Sequence, residues 1–336
     1  MNRQERLVAR CFGIGPISAL AARFARRGTF VALNYHRIGR ADLAPNDPGV
    51  FTVTAEEFDA QMLFLREHAA VIGLAEVLDS WTTGRPLPRN AVVITFDDGY
   101  LDNYEVAFPI LKRYELPAVF FLVTDMIGTA TPPWWDVIAR LLKTARRRDF
   151  EIVSAGRVHR FDLRTDPVVN VIQRVLGLAK TDPRSEADFA GVVEAACEGD
   201  RPDPLGRLFL DWSEAREMLA GGMAIGSHSV THRLMAKLDP ASQRAEAADS
   251  RRLLEERLGV SVDAFAYPVG RQTSFSPASI DAVREAGYSL AFTFCRGVNR
   301  VRGLPTLLDL RRLDPGDAAG LPMFRGRLAM AGVLGR

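Results

Sequence analysis

Short, strongly apolar segments alternate along the chain with stretches of helical character, and this alternation constrains the fold more than any other feature. The apolar segments are nearly continuous, which is typical of strands buried on both faces. Strands separated by helices favour a parallel sheet. We therefore predict an α/β fold, either a barrel resembling the (β/α)8 type or a doubly wound sheet. The predicted strands are residues 30–35, 70–72, 91–96, 118–123, 223–227, 264–267 and 289–294, and the clearest predicted helices are 55–68, 242–258 and 277–286.

One long segment, at about residues 130–210, interrupts this alternation. Alternating residues on either side of Ala155-Gly156 predict a β-hairpin there, and two polar helical stretches follow it. We interpret the segment as an insertion rather than a second core domain. The predicted boundaries are 1–29 for a basic N-terminal segment, 30–315 for the barrel with its insertion, and 316–336 for a basic C-terminal tail.

Composition excludes several classes of protein. The 43 Lys and Arg residues nearly balance the 41 Asp and Glu residues, giving a formal net charge of +2. This balance argues against a nucleic-acid-binding protein, which would carry a strongly basic domain. No uninterrupted apolar run is long enough to predict a transmembrane helix. The 3 cysteines are odd in number and far apart, so neither a disulfide framework nor a cysteine zinc site is expected.

The first 30 residues are basic, with six arginines and one acid, Glu5. The apolar stretch 11–22 between the arginines is broken by glycine and proline. Three interpretations stay open: a secretory signal, a basic amphipathic helix in peripheral contact with a membrane, and packing of both chain ends on the barrel exterior. We favour the last, and we expect a cytoplasmic or membrane-peripheral location over a secreted one.

Two adjacent carboxylates follow one of the most apolar predicted strands, where residues 92–96 lead directly into Asp97, Asp98 and Gly99. Unpartnered carboxylates are costly to bury, so we expect them at the carboxyl end of the strand, where α/β barrels form their active sites. Neighbouring side chains on a strand point apart, so one acid can bind a metal while the other faces a substrate. On its own, however, Asp-Asp-Gly is more typical of an ordinary turn.

Two histidines four residues apart, His228 and His232, also follow a predicted strand. They are two of only 5 histidines in the chain. Two imidazoles and one carboxylate around an open position are typical of a catalytic zinc-type site. Taken with the carboxylate pair, the histidines favour a metal site over a surface or structural role.

A third segment, Tyr267-Pro268-Val269-Gly270, follows the strand predicted at 264–267. Proline and glycine fix a turn in which a backbone N–H could point into the site. Such a donor can stabilise the oxyanion of an acyl-transfer reaction. In isolation, the segment is an ordinary exit from a strand.

The three motifs, in this order, resemble those of the polysaccharide deacetylases, the NodB-homology group of carbohydrate esterase family 4. The resemblance covers about residues 30–315, with the segment 130–210 as an insertion. It implies a distorted barrel of seven or eight strands that binds one divalent metal ion, with zinc expected and cobalt, nickel or manganese as alternatives. It also implies hydrolysis of N-acetyl groups, or O-acetyl groups in some members, on polymeric or lipid-linked sugars.

The resemblance also implies roles for individual residues. Asp98, His228 and His232 would bind the metal, and Asp97 would be the general base. The N–H of Val269 would stabilise the oxyanion, within a substrate-facing turn formed by Tyr267, Pro268 and Val269.

The sequence departs from the commonest family pattern at two places. Many members carry an arginine two residues before the motif proline, where this chain has Ala266, and many carry a late histidine as general acid, whereas no histidine follows His232. A branch of the family has a similar early Tyr-His, so we assign His36 as general acid or transition-state stabiliser, with an ordinary histidine at the barrel mouth as the alternative. Arg311 or Arg312 could replace the missing arginine.

The sequence therefore predicts a metal-dependent deacetylase of an acetylated glycan or lipid-linked saccharide, including an exopolysaccharide. Two other hypotheses stay open. The first is a glycan-binding protein that keeps the metal site without turnover, and the second is a metal-dependent hydrolase of acylated amides other than sugars.

Overall fold

Thirteen strands are present in the computed structural model, which describes residues 28–203, 206–316 and 320–334. Seven of the described strands form a closed, all-parallel barrel in the order β1-β13-β11-β10-β9-β6-β5, and β5 pairs with β1 to close it. The strands are β1 Thr29–Tyr35, β2 Arg37–Ile38, β3 Phe51–Val53, β4 Ala70–Val71, β5 Ala91–Phe96, β6 Val119–Leu122, β7 Asp149–Ser154, β8 Arg157–Asp162, β9 Ala224–Ser227, β10 Ala264–Ala266, β11 Leu290–Arg296, β12 Asn299–Arg300 and β13 Leu307–Leu313.

The barrel confirms the predicted α/β class and decides between the two architectures that the sequence left open. Six of the predicted strands are barrel strands, whereas the segment predicted at 70–72 lies outside the ring, where β4 pairs with β5. The seventh barrel strand, β13, was not predicted. Asp309, Arg311 and Arg312 interrupt its apolar pattern, and its pairing with β11 contains register shifts.

The described residues form ten α-helices, and local signals fix the ends of several of them. The first helix begins with a capping box between Thr54 and Glu57. The eighth is capped at its start by Asp239, whose side chain accepts two backbone N–H groups, and at its end by Gly259 in the left-handed conformation. The helices are α1 Ala55–His68, α2 Leu74–Thr83, α3 Phe108–Arg113, α4 Trp134–Lys143, α5 Val168–Thr181, α6 Glu186–Cys197, α7 Trp212–Ala220, α8 Pro240–Leu258, α9 Pro277–Glu285 and α10 Leu321–Leu334.

The side chains that fill the barrel interior change from apolar to polar along each strand. In β1 the inward series begins with Phe30 and Ala32, which pack in the same buried cluster as Ala91 and Val93 of β5 and Leu310 of β13. Because side chains alternate along a strand, every second residue after these also faces the barrel interior. The inward-facing residues that follow are Asn34 and His36 in and after β1, Thr95 and Asp97 in and after β5, and Arg312 in β13. The carboxyl end of the barrel is therefore lined with polar groups.

Close packing inside the barrel requires a glycine in β9. A Cβ atom at Gly226 would lie 2.5 Å from the ring of Phe121 and 3.0 Å from the carbonyl oxygen of Ala264. Only glycine lets β9 approach both neighbouring strands while Phe121 fills the interior. The glycine thus lets β9 pair in parallel with both β6 and β10.

The chain divides into two compact units. The larger one contains the barrel and comprises residues up to Gly39, Thr52–Ile127 and residues from Phe209 onward, and the smaller one comprises Arg40–Phe51 and Gly128–Leu208. Within the smaller unit are helices α4, α5 and α6 and the antiparallel hairpin β7–β8. The hairpin predicted around Ala155-Gly156 is confirmed, and both turn residues have positive φ angles, as a two-residue type I′ turn requires.

The chain ends are described only in part. The N-terminal segment predicted as basic lies, up to residue 27, outside the described residues. At the other end, α10 packs on the barrel unit, with Phe324 edge-on to Phe64 of α1 and the guanidinium of Arg325 4.8 Å from the centre of the same ring. Among the helices that the structure describes, none has the length and apolar character needed to cross a membrane.

Candidate metal centre and active site

Three loops meet at the carboxyl end of the barrel, following β5, β9 and β10. They share an uncommon backbone feature: of the eight non-glycine residues with positive φ among the described residues, four lie in these loops. A non-glycine residue in this region costs of the order of 1–3 kcal/mol and persists only where surrounding structure holds it, which is common at functional sites. The four are Asp98, Ser229, His232 and Val269, with φ of 74°, 68°, 58° and 62°.

The predicted ligand residues Asp98, His228 and His232 converge in these loops. All three are buried, and one ligand atom from each lies within 4.8 Å of the other two. The Nε2 atoms of His228 and His232 lie 3.5 Å and 3.3 Å from Oδ1 of Asp98. The structure thus brings together two imidazoles and one carboxylate, as the spacing of the motifs predicts.

The chemistry of this donor set fits a cation. Nδ1 of His228 lies 2.7 Å from the carbonyl oxygen of Ala266, which can only accept, so Nδ1 carries the proton and Nε2 presents a lone pair. Burial lowers the pKa of His228 to about 4, which keeps the ring neutral. Oδ1 of Asp98 is buried and accepts no hydrogen bond from the described residues. A bare nitrogen facing an unsatisfied carboxylate oxygen is the arrangement that a bound metal ion would complete.

Asp97 forms a buried ion pair with Arg312 beside this donor set. The two guanidinium nitrogens Nη1 and Nη2 each lie 2.7 Å from one oxygen of Asp97. Asn34 donates a further hydrogen bond of 3.1 Å to Oδ2 of Asp97. Burial alone would raise the pKa of Asp97, but the Arg312 charge outweighs it and holds the pKa well below its usual value. Asp97 is therefore a carboxylate in the folded protein.

Arg312 is itself held by a network of side chains and carbonyl groups. Its side chain is fully buried. Its Nε donates to the carbonyl oxygen of Thr293, and its Nη1 contacts the side-chain oxygens of Asn34 and Thr95 at 2.7 Å and 3.2 Å. These hydrogen bonds hold the guanidinium of Arg312 in one orientation. The guanidinium in turn holds the carboxylate of Asp97 in one orientation. Sequence reasoning did not single out Asn34 or Thr95, although both belong to inward-facing series.

His36 lies at the edge of this network. Its Nε2 is 3.9 Å from Oδ2 of Asp97, and 27% of its side chain is exposed. Two hydrogen bonds fix its backbone, one from its N–H to Oγ1 of Thr52 and one from the side chain of Asn103 to its carbonyl oxygen. His36 is therefore both close to the predicted base and accessible to a substrate.

In the third loop, Val269 has a backbone N–H with no acceptor among the described residues, whereas Tyr267 is bonded to the core. Val269 itself is half-buried, and the preceding Pro268 is buried. The hydroxyl of Tyr267 donates to the carbonyl oxygen of Leu308, and its N–H donates to Phe292. The hydroxyl and the N–H of Tyr267 are thus both bonded within the protein, and the Tyr267 side chain holds the loop on the core.

Gly270 completes the third loop. It has a positive φ of 59°, and a Cβ atom there would lie 2.5 Å from the backbone nitrogen of Phe294. That nitrogen donates to the carbonyl oxygen of Gly270. A side chain at this position would push the loop away from β11 and displace the N–H of Val269.

Comparison with known proteins agrees with this geometry. The family model described as polysaccharide deacetylase matches residues 84–175 and 179–291, more than half of the chain. The protein belongs to the polysaccharide deacetylase family.

Curated relatives match different lengths of this family member. The Bacillus subtilis protein YxkH is 23% identical over 266 residues, which make up 79% of this chain and 66% of the relative. Poly-beta-1,6-N-acetyl-D-glucosamine N-deacetylase of Staphylococcus epidermidis is 34% identical over 113 residues, 31% of this chain and 39% of the relative. The matched stretches thus span less than two thirds of either relative.

Solved structures show the same polysaccharide deacetylase fold. The Streptococcus pyogenes deacetylase PplD, in complex with acetate, matches with a TM-score of 0.55 at 19% identity, over 85% of this chain and 91% of that one. IcaB from Ammonifex degensii matches with a TM-score of 0.55 at 22% identity, over 90% and 97% of the two chains.

The structure also resolves one of the two departures from the commonest pattern of this family. Ala266 stands where many members have an arginine, and the sequence left Arg311 and Arg312 as replacements. Arg311 is exposed, and its side chain lies against Gly297. Arg312, one residue later in β13, faces inward and binds both oxygens of Asp97.

Proposed function

We propose that this protein is a metal-dependent hydrolase that removes acetyl groups, N-acetyl groups in particular, from an amino-sugar-containing polysaccharide or glycan precursor. The proposal rests on one observation above all. A carboxylate that Arg312 orients, Asp97, lies directly beside the buried donor set of Asp98, His228 and His232. A fixed base beside a cation site can activate water for the hydrolysis of an unactivated amide.

The relatives support an amino sugar as the substrate. The Staphylococcus epidermidis relative acts, by its name, on poly-beta-1,6-N-acetyl-D-glucosamine, and the stretch shared with it is the more similar of the two described above. An acetylated exopolysaccharide or a lipid-linked saccharide is therefore the substrate class to test first. Zinc is the proposed ion, because a donor set of two imidazoles and one carboxylate is typical of catalytic zinc sites.

The protein's own groups supply the remaining chemistry. A divalent ion held by Asp98, His228 and His232 would lower the pKa of a water molecule and polarise the acetyl carbonyl. Asp97 accepts a proton from the water that attacks the acetyl carbon, and the N–H of Val269 donates to the oxyanion that forms on the acetyl oxygen. The sugar nitrogen must gain a proton before it leaves, and His36 is the partly exposed group placed to donate it.

The proposed function predicts acetate release that depends on a divalent metal. The purified protein is treated with a chelator and then restored with Zn²⁺, Co²⁺ or Ni²⁺, and acetate is measured with N-acetylglucosamine oligomers, lipid-linked precursors and acetylated xylan. We expect release from at least one amino-sugar substrate, loss of release after chelation, and recovery after metal is added. Stoichiometric metal binding with no release from any of these substrates would instead support a glycan-binding protein.

Replacing His36 tests its assignment as the proton donor. We expect His36→Ala to lower kcat for N-acetyl substrates by about 100-fold or more, since positioned acid catalysis contributes roughly 10²–10⁴-fold. The leaving group of an O-acetyl ester is an alkoxide, which depends less on protonation by an acid than the nitrogen of an amide does. The loss should therefore be smaller for an O-acetyl substrate of the same sugar. His68→Ala, an exposed histidine at the end of α1, serves as the matched control. Equal losses for amide and ester substrates would contradict the assignment.

A further inference from the structure

The loop that carries both predicted histidine ligands is held by a single buried carboxylate from another element. Glu246 of α8 is 8% exposed. One of its oxygens, Oε2, accepts the backbone N–H groups of Val230 and Thr231 at 2.8 Å and 2.9 Å. The other, Oε1, accepts the hydroxyl of Thr231 at 2.5 Å. Glu246 thus binds the two residues immediately before His232 by three hydrogen bonds.

These bonds hold a backbone that would not keep its shape alone. Ser229 and His232 both have left-handed φ angles, 68° and 58°, which only surrounding contacts can maintain. Backbone groups of the loop make further hydrogen bonds: the N–H of His232 donates to Oγ of Ser229, and the carbonyl oxygens of Ser229 and Val230 accept N–H groups from the segment after β6. Glu246 adds three hydrogen bonds to these, all accepted by one side chain of another element.

The same face of α8 also fixes the start of the loop. Ser250 lies four residues after Glu246, hence on the same helix face. Its hydroxyl lies 2.7 Å from Oγ of Ser227, the last residue of β9, and it also reaches the carbonyl oxygen of Glu246 at 2.7 Å. The loop between Ser227 and His232 is thus fastened to one rigid helix at both ends.

We propose that Glu246 is a positioning residue of the metal centre, which sets metal affinity by holding His232 in its ligand conformation. The inference rests on the proposed metal site and deepens it. Glu246 does not lie among the converging ligand atoms, so it acts through the loop rather than by binding the ion. Partners that orient metal ligands in this way typically contribute 10- to 100-fold to metal affinity or activity.

Metal affinity of Glu246 variants tests the proposal independently of turnover. Glu246→Ala is expected to bind Zn²⁺ about 10- to 100-fold more weakly in a chelator competition, and to change the visible absorption of the Co²⁺-loaded protein. Glu246→Gln should bind within about threefold of wild type, because its amide oxygen can accept both N–H groups and its NH₂ can donate to Thr231. Glu256→Ala, an exposed acid on the same helix, is the control and should not change affinity.

Thermal unfolding of the metal-free proteins separates positioning from general stability. A residue with a merely structural role would lower the melting temperature and leave the affinity of the folded protein unchanged. If Glu246→Ala does not fold, Glu246→Asp, which shortens the arm by one methylene, replaces it with the same expected loss of affinity. Wild-type affinity in the Ala or Asp variant, or equal losses in the Gln and Ala variants, would overturn the proposal. Failure of the wild-type protein itself to bind metal would instead overturn the proposed function.

Discussion

Acetate release by the Asp97→Asn protein is expected to fall by about 100- to 10,000-fold, the contribution typical of a positioned general base. An asparagine side chain has nearly the same shape as aspartate, but its amide cannot accept a proton from water. The ion pair with Arg312 keeps Asp97 ionised in the folded protein, so the base is in the correct protonation state before substrate binds. Steady-state kinetics on the best substrate of the acetate-release panel would measure the loss.

Metal binding is the control for this variant. Asp97 is not one of the three converging ligand residues, so Asp97→Asn should bind Zn²⁺ stoichiometrically. Asp98→Asn, changed at the neighbouring position, should lose metal affinity and activity together. An Asp97→Asn protein that releases acetate at the wild-type rate would show that the base lies elsewhere. If the variant binds no metal, its loss of activity would be explained by the loss of the ion and not by the loss of a base.

Much of the fold could be predicted from the sequence, because the barrel strands are buried on both faces and their apolar runs are uninterrupted. The strand Ala91–Phe96 and the helix Ala55–His68 have the predicted bounds. Strand β13 was missed for the opposite reason. Its inward-facing Arg312 lies at the polar end of the barrel interior, and an arginine in an apolar pattern indicates a loop when its partner is unknown.

The donor set was accessible to sequence reasoning because each ligand lies at most five residues beyond the end of a predicted strand. The carboxyl ends of parallel strands meet at one end of a barrel, which is enough to bring Asp98 and His232 together. Arg312 follows no such rule. It is 215 residues from Asp97 along the chain, and only closure of the barrel between β1 and β5 brings β13 beside them. The same holds for Asn34, an inward-facing amide that carries no motif.

The Arg312→Met protein is expected to lose about 3–5 kcal/mol of unfolding free energy, the usual cost of removing one partner of a buried ion pair. Without the guanidinium, burial is less strongly opposed and the pKa of Asp97 rises, so the carboxyl group is a carboxylate over a narrower pH range. Acetate release should therefore fall together with stability. Urea unfolding of the metal-free proteins measures the loss of unfolding free energy. Arg311→Met, at the exposed neighbouring position, should change neither the unfolding free energy nor acetate release.

The pH dependence of this loss has a defined sign. Arg312 depresses the pKa of Asp97 in the folded protein below the value of about 3.9 in the unfolded chain. The stabilisation is thus present above about pH 4 and is lost as the pH falls through the folded-state pKa. The difference in unfolding free energy between wild type and Arg312→Met should therefore shrink on acidification. A difference that is constant from neutral pH to about pH 3 would show that Arg312 stabilises the barrel by its packing and its hydrogen bonds to neutral groups, and not by its ion pair with Asp97.

The double variant Asp97→Asn with Arg312→Met separates the two roles of the pair. Each single change leaves one buried charged or polar group without its partner, whereas the double change removes the ion pair entirely. Contacting residues are not additive, so the double variant should be less destabilised than the sum of the single variants, and close to the milder of them. Its activity should stay as low as that of Asp97→Asn, because stability returns without a base. Simple additivity of the two losses would show that the bidentate contact contributes little to the fold, and that Arg312 acts on the base alone.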